Sequence, residues 1–364
     1  MISPKKLFNE FKKNKINFFI GVPDSVLKNF TNNIPEKQNF VTQNEGSAVA
    51  LSIGYHLDTN KTGLVYMQNS GLGNAINPLI SLAHKKVYSI PLVLLIGWRG
   101  SPNTHDEPQH KAQGEITRDL LKLMDIKYVV LNNDNDLQKI KDLISHSKKN
   151  LKPVAILIKN KSIRTFSKKI KTIKKNNFIS RKVFIENLVG KVKLNDRVIS
   201  STGYNSRELY QTLLDKKKTS RKVFYLVGGM GHTLSVGLGA ALNSKKQNII
   251  LDGDGSLLMH MGSFINLQLH KKKNLKYILL NNNSHESVGG QINNIRKINL
   301  RFFAKTFGFR NYFEIKKKSE LNKKIFNFLR SKESTFLNVY INEGTLKNLK
   351  RPQNLIDIKN NFKK

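Results

Sequence analysis

The stretch Ile249-Ile250-Leu251-Asp252-Gly253-Asp254-Gly255-Ser256 joins a short apolar run to an acidic residue that stands between two glycines. This pattern predicts a buried strand that turns directly into a helix, because glycine permits the tight turn. At such a junction the backbone can approach a phosphate, and the N-terminus of the helix favours negative charge. Asp254 is then a candidate ligand for a divalent cation, since hard cations prefer oxygen. Taken alone, the motif also fits an ordinary tight turn.

A second polar cluster, Asn281-Asn282-Asn283, begins twenty-six residues after Gly255, at the end of the apolar run 277–280. That distance accommodates one helix and one strand. Because ligands of open parallel sheets bind beyond the carboxyl ends of the strands, we expect the two clusters at the same edge of one sheet.

Apolar runs rich in Val, Ile and Leu alternate with longer amphipathic stretches twice along the chain, which predicts an α/β fold with parallel sheets flanked by helices. We predict strands near 18–21, 40–43, 64–68, 92–97, 128–131 and 154–158, and again near 197–200, 223–227, 249–252, 277–281 and 337–341. The predicted helices include 46–56, 70–85, 206–214, 233–242 and 257–270, with further helices started by Asp24 and by Asp134 or Asp136.

The pattern loses its period in a Lys-, Ser- and Thr-rich stretch near the middle of the chain. We therefore predict two domains, 1–165 and 179–364, joined by a basic linker at 166–178. The stretch 351–364 is rich in Lys and Asn and is predicted to be an exposed terminus.

The chain has 364 residues, and 63 Lys and Arg against 25 Asp and Glu give a formal net charge of +38. Its hydrophobic fraction of 39% supports folded cores and excludes a disordered basic protein. Lysine runs lie where loops and helix ends are expected, at 168–175, 216–218, 271–273 and 316–318. Because they lack interleaved aromatic residues, we interpret them as solvated surface and expect no nucleic-acid partner.

Cysteine is absent, which excludes thiolate catalysis, zinc ribbons and iron–sulfur clusters. The first residues alternate Lys with single apolar residues and lack the features of a secretory signal. The longest charge-free run, 62–84, contains Gln, Asn and Gly and is too polar to span a bilayer. We expect a cytoplasmic protein with no membrane partner.

Gly-Asp-Gly followed at this distance by Asn-Asn resembles the signature of thiamine-diphosphate enzymes. The resemblance implies a pyrimidine-binding domain at 1–165 and a diphosphate-binding domain at 179–364. It implies that the side chains of Asp254 and Asn282 and the backbone carbonyl of Ser284 bind Mg²⁺. Asn281 remains an alternative to Asn282, because Asn283 stands where the family often has glycine.

The same resemblance assigns further contacts with thiamine diphosphate. Gly253, Gly255 and Ser256 belong to the turn around Asp254. In Gly228-Gly229-Met230-Gly231-His232, it implies that Met230 supports the bent cofactor, that the Gly228 carbonyl accepts a hydrogen bond from it, and that Gly231 and His232 approach the diphosphate. Without the resemblance, Met230 fits equally well as a core residue of a glycine-rich turn.

The family also needs a carboxylic acid beside the pyrimidine ring. In Val41-Thr42-Gln43-Asn44-Glu45-Gly46-Ser47-Ala48, Glu45 follows a predicted strand and precedes a helix of small residues, which matches the family's catalytic glutamate. Burial would raise its pKa and suit it to proton transfer. As an isolated residue, Glu45 is more typical of a helix start.

Within this family the chain is similar to the phosphonopyruvate and sulfopyruvate decarboxylases, which have no middle domain. The similarity extends over nearly the whole chain, through the segments 21–25, 44–46, 97–100, 106–110, 202–203, 206–209, 229–232 and 285–291. It implies decarboxylation of 3-phosphonopyruvate to phosphonoacetaldehyde in phosphonate biosynthesis. Sulfopyruvate is the alternative substrate.

Three residues near predicted strand ends are candidates to hold the anionic tail of such a 2-oxo acid substrate: Ser25, Lys28 and Arg99. Arg99 would do so by a forked pair of hydrogen bonds. It fits equally well as a salt-bridge partner of Asp106 or Glu107.

A further acid must protonate the carbon atom left after CO₂ departs. His110 is the first candidate, and it also belongs to the predicted substrate site; His285 is the second. Either residue, taken singly, is at least as typical of a surface or structurally satisfied histidine.

The resemblance implies a homo-oligomer whose active site lies at the subunit interface. Two alternatives differ in class: a carboligating 2-oxo acid enzyme, and a non-catalytic basic nucleic-acid-binding protein that retains the fold. The lack of room for a middle domain disfavours the first, and motifs for both halves of the cofactor disfavour the second.

Overall fold

The computed structural model describes residues 1–165, 177–270 and 272–364. The chain divides into two compact units, Met1–Lys171 with Val288–Gln291, and Thr172–Ser287 with Ile292–Lys364. Apart from residues 177 and 178, the predicted linker 166–178 lies outside the described residues. The predicted domain limits at 165 and 179 stay predictions.

Within the described residues, the first unit contains one six-stranded sheet in the order β2-β1-β3-β4-β6-β5, with all neighbouring strands parallel. Its strands are β1 Phe19–Gly21, β2 Asn39–Val41, β3 Leu64–Gln68, β4 Val93–Trp98, β5 Lys127–Leu131 and β6 Val154–Lys159. Its helices are α1 Pro4–Lys13, α2 Lys28–Thr31, α3 Glu45–Thr59, α4 Leu72–Pro78, α5 Pro108–Leu123 and α6 Gln138–Asn150.

In its described residues, the second unit likewise contains one parallel six-stranded sheet, in the order β8-β7-β9-β10-β12-β11. Its strands are β7 Arg197–Ser200, β8 Lys222–Tyr225, β9 Asn248–Gly253, β10 Leu275–Asn281, β11 Asn311–Ile315 and β12 Thr335–Tyr340. Its helices are α7 Arg181–Lys191, α8 Tyr204–Asp215, α9 Thr233–Leu242, α10 Asp254–Met259, α11 Ile265–His270, α12 Leu300–Thr306, α13 Leu321–Arg330 and α14 Leu355–Lys363. Counted from its own first strand, this order is identical to that of the first unit.

Each sheet carries apolar clusters on both faces, because successive side chains of a strand point to opposite sides. In β3, Leu64 and Tyr66 belong to one cluster, whereas Val65 and Met67 belong to the other. The second unit has the same arrangement of two clusters. Burial on both faces explains why the strands are continuous apolar runs, and the predicted α/β class is confirmed.

The predicted strands are confirmed to within two residues at each end. The predictions omit β11, in which Asn311 and Glu314 interrupt the apolar residues; it is an edge strand, less buried than its neighbour β12. The terminal stretch 351–364 is largely exposed, but it contains α14, whose Phe362 ring contacts Phe224 of β8.

Two predicted helices are interrupted. The helix expected over 70–85 ends as α4 at Pro78, because proline lacks an N–H donor, and a π-helical turn Leu79–Ala83 follows. The helix expected over 257–270 is divided into α10 and α11 at His260, whose φ of −132° and ψ of 45° leave the helical region.

Side chains cap the turns that follow two strands of the first sheet. Asn44 Oδ1 accepts hydrogen bonds from the N–H groups of Gly46 and Ser47 at the start of α3, at 2.8 and 3.2 Å. Asp24 Oδ2 accepts from two backbone N–H groups in the turn before α2, at 3.0 and 3.1 Å. The helix predicted to begin at Asp134 or Asp136 starts with a 3₁₀ turn, Asp134–Leu137, which precedes α6. The Asn133 side chain caps this turn.

The lysine runs that lie within the described residues are on the surface, as predicted: Lys216, Lys217 and Lys316–Lys318 are exposed. The runs at 168–175 and at Lys271 lie outside the described residues. In the part of the chain that the structure describes, no helix combines the length and apolar character needed to cross a membrane.

Candidate active site

Glu45 is the first residue of α3, directly after the turn that follows β2, and only 6% of its surface is exposed. Asn74 Nδ2 of α4 donates a hydrogen bond to Glu45 Oε2 at 2.8 Å. Gly71 lies so close that a Cβ atom there would stand 2.5 Å from Glu45 Oε1. The carboxyl group is therefore held in one position by an amide donor and by a residue without a side chain.

Burial raises the pKa of Glu45 above its usual value, and the hydrogen bond from Asn74 opposes the rise only in part. A raised pKa allows the carboxyl group to hold a proton nearer to neutral pH than an exposed glutamate does. Glu45 can therefore both donate and accept a proton, as general acid–base chemistry requires.

Arg99 follows β4, and its guanidinium group is bound from two sides. Nε and Nη2 donate to the two carboxylate oxygens of Asp106 at 2.8 and 2.5 Å, and Nη1 donates to Ser25 Oγ at 3.2 Å. The Asn69 side chain holds the Arg99 backbone, accepting from its N–H and donating to its carbonyl. The salt bridge with Asp106 that the sequence allowed is present, and Ser25 belongs to the same cluster.

Two carboxyl groups near Arg99 are perturbed in opposite directions. Burial favours the neutral form of Asp106, but hydrogen bonds from Arg99 and from the N–H groups of Glu107 and Gly100 prevail and hold its pKa below the usual range. Asp24 is 1% exposed, and burial raises its pKa to about 6 despite its backbone hydrogen bonds and the nearby Arg99 charge.

His110 lies in the first turn of α5 and is half-buried. Gly100 has a φ of +66°, and a Cβ atom there would overlap the His110 carbonyl. Gly114 packs against Gly100 in the same way, so two glycines bring the start of α5 against the turn that carries Arg99. Lys28 is exposed on α2, and no hydrogen bond or ion pair joins its side chain to this cluster in the described residues.

In the second unit, Asp254 begins α10 directly after β9 and is 4% exposed. Its Oδ1 accepts from the N–H of Gly255 at 2.8 Å, and its Oδ2 accepts from the N–H groups of Asn282 and Asn283 at 3.1 and 2.6 Å. The two polar clusters predicted at one sheet edge are thus in direct contact. Burial raises the pKa of Asp254 to about 6, although the Asn293 side chain and these backbone donors oppose the rise.

The predicted magnesium ligands have the character of a hard-cation site. Among the described residues, no Lys, Arg or His forms an ion pair with Asp254, so this buried carboxylate lacks a countercharge. Asn282 is 8% exposed, and its Oδ1 accepts one hydrogen bond, from the Ser284 N–H at 3.1 Å, which leaves a lone pair. One carboxylate with amide and carbonyl oxygens suits Mg²⁺.

The alternative ligand, Asn281, points elsewhere. It is completely buried in β10, and its Nδ2 contacts Asn338 Oδ1 of the neighbouring strand β12 at 3.5 Å. This geometry favours Asn282, whose backbone N–H already contacts Asp254. In the described residues there is no cluster of three or more His, Asp or Glu that could hold a metal by those side chains alone.

The glycine-rich turn after β8 lies against the turn around Asp254. The Gly231 N–H donates to Ser256 Oγ at 3.2 Å, and a Cβ atom on Gly255 would stand 3.1 Å from Met230 Cε. Gly229 and Gly231 have φ values of +62° and +90°, which glycine adopts readily. Gly228 is half-buried, and the His232 ring stacks on His260 with 4.4 Å between ring centroids.

His285 lies beside the same turn. A Cβ atom on Gly255 would be 3.0 Å from His285 Nδ1, and His285 Nε2 is buried without a hydrogen-bond partner in the described residues. Burial lowers the pKa of His285 to about 4, so the ring is neutral near pH 7. In the second unit the structure therefore brings together Met230, Gly231, Asp254, Ser256 and His285.

Several residues of the site were not predicted. Asn74 and Asn69 hold Glu45 and Arg99, respectively, and in the second unit a buried ion network of Arg181, Glu208 and Glu286 reaches Asn282. Asp24 was predicted only as a cap. Glu208 and Glu286 belong to segments that carry the family resemblance, and that resemblance could have identified them as site residues. Arg181 lies outside those segments, so nothing in the sequence marked it.

Comparison with known proteins agrees with this arrangement. Residues 5–135 match the thiamine pyrophosphate enzyme N-terminal TPP binding domain, and residues 201–339 match the C-terminal TPP binding domain. The chain is 32% identical to phosphonopyruvate decarboxylases of Streptomyces viridochromogenes and Streptomyces hygroscopicus, covering 92% of this chain and 87% and 86% of theirs. It is 28% identical to a sulfopyruvate decarboxylase of Methanosarcina acetivorans, covering 94% of this chain and 92% of that protein.

Proposed function

The chain belongs to the thiamine-pyrophosphate-dependent decarboxylases, and from that membership we propose that it converts 3-phosphonopyruvate to phosphonoacetaldehyde and CO₂. The observation that carries the reaction type is the buried Glu45, with its raised pKa, at the start of α3. The choice of substrate is supported by the 32% identity to the two phosphonopyruvate decarboxylases. The reaction would be a step of phosphonate biosynthesis.

When bound, thiamine diphosphate would supply a nucleophile for the 2-oxo carbon and an electron sink for the carbon–carbon bond that breaks as CO₂ leaves. Glu45 would exchange a proton with the pyrimidine ring through its carboxyl oxygens. Asn74 keeps that carboxyl group in place by donating to Oε2 at 2.8 Å. Asp254, the Asn282 amide oxygen and the Ser284 carbonyl would hold Mg²⁺.

The remaining predicted cofactor contacts line two turns of the second unit. Met230 would support the bent cofactor, and the backbone groups of the two turns would face its amino group and diphosphate. Contact between these turns supports this proposal, because Gly231 is hydrogen-bonded to Ser256. The full set is Gly228, Met230, Gly231, His232, Gly253, Gly255 and Ser256.

The anionic tail of the substrate would meet Ser25 and Arg99, with Lys28 on the nearby surface and His110 on α5. Because two guanidinium nitrogens already contact Asp106, we expect Arg99 to bind the tail mainly through Nη1, next to Ser25. His110 remains the first candidate for the final proton transfer, and His285 the second.

Substitution of Arg99 by Lys tests this placement. Lysine keeps the charge but loses the planar fork, so the variant cannot bind both Asp106 and the substrate tail in the same geometry. We expect KM for phosphonopyruvate to rise roughly 10-fold or more, with a smaller change in kcat, because a hydrogen bond to a charged group contributes about 1.5–3 kcal/mol. An unchanged KM would remove Arg99 from the substrate site.

We also propose a homo-oligomer with the active site at the subunit interface. Its support is the apolar surface of two helices: Leu51 and Leu57 of α3 are 44% and 71% exposed, and Leu269 of α11 is 71% exposed. A contiguous apolar surface marks a site of association with another chain, and Leu51 and Leu57 share the exposed face of α3 with Ala50 and Gly54. The predicted cytoplasmic location stays a prediction.

The function is tested by measuring aldehyde and CO₂ release from 3-phosphonopyruvate, with thiamine diphosphate and Mg²⁺ present, each omitted, or both removed by dialysis against a chelator. We expect turnover only with both present.

Comparing kcat/KM for phosphonopyruvate and sulfopyruvate decides between the two decarboxylases, since their substrates differ only in the anionic group. A condensed product would indicate a carboligase; salt-sensitive duplex binding without cofactor binding would indicate a nucleic-acid-binding protein.

A further inference from the structure

Arg181, the first residue of α7, forms a buried ion network in the second unit. Its side chain is 4% exposed; Nη1 contacts Glu208 Oε1 at 3.3 Å, and Nη2 contacts Glu286 Oε2 at 2.6 Å. Glu208 is 2% exposed and also accepts from Thr345 Oγ1 at 2.7 Å. The backbone N–H of Gly344 donates to Glu286 Oε1 at 2.5 Å. Such a network holds the Glu286 carboxylate in a fixed position, because both its oxygens are engaged.

Glu286 in turn binds the side chain of Asn282. Asn282 Nδ2 donates to Glu286 Oε2 at 2.9 Å, and Asn282 Oδ1 accepts from the Ser284 N–H at 3.1 Å. A carboxylate only accepts hydrogen bonds, and a backbone N–H only donates. The two contacts therefore allow a single orientation of the amide and exclude the orientation in which its NH₂ and oxygen exchange places.

This orientation matters for a metal ligand. The amide oxygen can bind a hard cation, whereas the NH₂ group cannot, so a flipped Asn282 would present the wrong atom. The network also combines one guanidinium with two carboxylates, which leaves one formal negative charge next to the backbone that contacts Asp254. That charge favours a cation at this sheet edge.

We propose that Glu286, anchored by Arg181, is a positioning residue that orients the Asn282 amide oxygen toward Mg²⁺. The inference rests on the proposed function, because that function requires the magnesium site. It extends the site from three ligands to the residues that fix one of them. Partners of this kind typically contribute a factor of about 10 to 100 in metal affinity.

The matched variants are Glu286→Ala and Glu208→Ala. Each removes one carboxylate from Arg181, but only Glu286→Ala removes the acceptor of the Asn282 amide. Glu286→Gln is a rescue variant, since its side-chain oxygen can still accept from Asn282 Nδ2. The dissociation constant for Mg²⁺ is measured by calorimetry on the full-length protein with thiamine diphosphate present, and circular dichroism checks that each variant is folded.

We expect Glu286→Ala to weaken Mg²⁺ binding by about 10- to 100-fold, with Glu208→Ala within about threefold of the unmodified protein and Glu286→Gln between them. If Glu286→Ala does not fold, the triple variant Arg181→Met, Glu208→Met and Glu286→Met removes the ion network as a unit, and we expect the same loss.

Two results would overturn the inference: an unchanged Mg²⁺ affinity in Glu286→Ala, or an equal loss in Glu208→Ala, which would indicate a general effect of charge or packing. Failure of the unmodified protein to bind Mg²⁺ with thiamine diphosphate would instead refute the metal site of the proposed function.

Discussion

Glu45 is the residue on which the proposed reaction depends most directly, through its carboxyl group. Glutamine at this position keeps the shape and can still accept the hydrogen bond from Asn74, but it cannot exchange a proton. We expect Glu45→Gln to lower kcat by about 10²- to 10⁴-fold with little change in melting temperature. Glu36→Gln, at an exposed position, is the control. Turnover of Glu45→Gln at the rate of the unmodified protein would exclude the mechanism.

Asp24 gives the stability of the protein a pH dependence of predictable sign. Its folded-state pKa of about 6 exceeds the ordinary 3.8 because of burial, so folding favours the protonated form. The associated stabilisation is complete below about pH 4 and is lost as pH rises through about 6; it amounts to roughly 3 kcal/mol. We expect Asp24→Asn to reduce the fall in the free energy of unfolding between pH 4.5 and 7.5, measured by urea titration. Parallel profiles for the two proteins would contradict this, and exposed Asp119→Asn serves as control.

Individual site residues were predictable where a motif marks them, and their partners were not. Glu45 stands four residues after β2, and Asp254 follows β9 directly, so strand ends identify them. Asn74 lies 29 positions from Glu45, and Glu286 lies 105 positions from Arg181. Sheet topology and packing decide which distant residues pair. The local sequence pattern carries no information about topology or packing.

At the scale of elements, the docking of α5 depends on glycine. A Cβ atom on Gly114 would overlap the Gly100 carbonyl, so Gly114→Ala should push the start of α5 away from the turn that carries Arg99. We expect a loss of about 1–3 kcal/mol in the free energy of unfolding. Gly190→Ala in α7 is the matched control, because no atom lies within 4 Å of its added Cβ, and it should gain up to about 1 kcal/mol. Equal melting temperatures for the two variants would contradict the packing argument.

Strands and helices differed in how well the sequence predicted them. Strands buried on both faces have continuous apolar runs, so their positions are evident even though the pairing order is not. The helix 233–242 was predicted at its observed limits, as α9. The break at His260 was not predicted. The His260 ring stacks on His232, and the periodicity of 257–270 carries no sign of this contact with a turn that is distant in sequence.

For the whole molecule, we expect light scattering to give a mass that is a multiple of that of a single chain at micromolar concentration. A charged residue on the exposed apolar face of α3 should oppose association, because it would have to be desolvated in the interface. Leu57→Glu should therefore lower the measured mass. A single-chain mass for the unmodified protein would contradict the proposed oligomer.

The two sheets share one strand order, and their strand ends carry corresponding loops. Glu45 follows the second strand of the first sheet, and the glycine-rich turn of Met230 follows the second strand of the other; Arg99 and Asn282 each follow the fourth. This repetition is the pattern that duplication of an ancestral gene would leave. Divergence from such an ancestor would have required new loops on an unchanged scaffold: one copy would have acquired an acid and anion-binding side chains, and the other glycines and the proposed oxygen ligands for a metal.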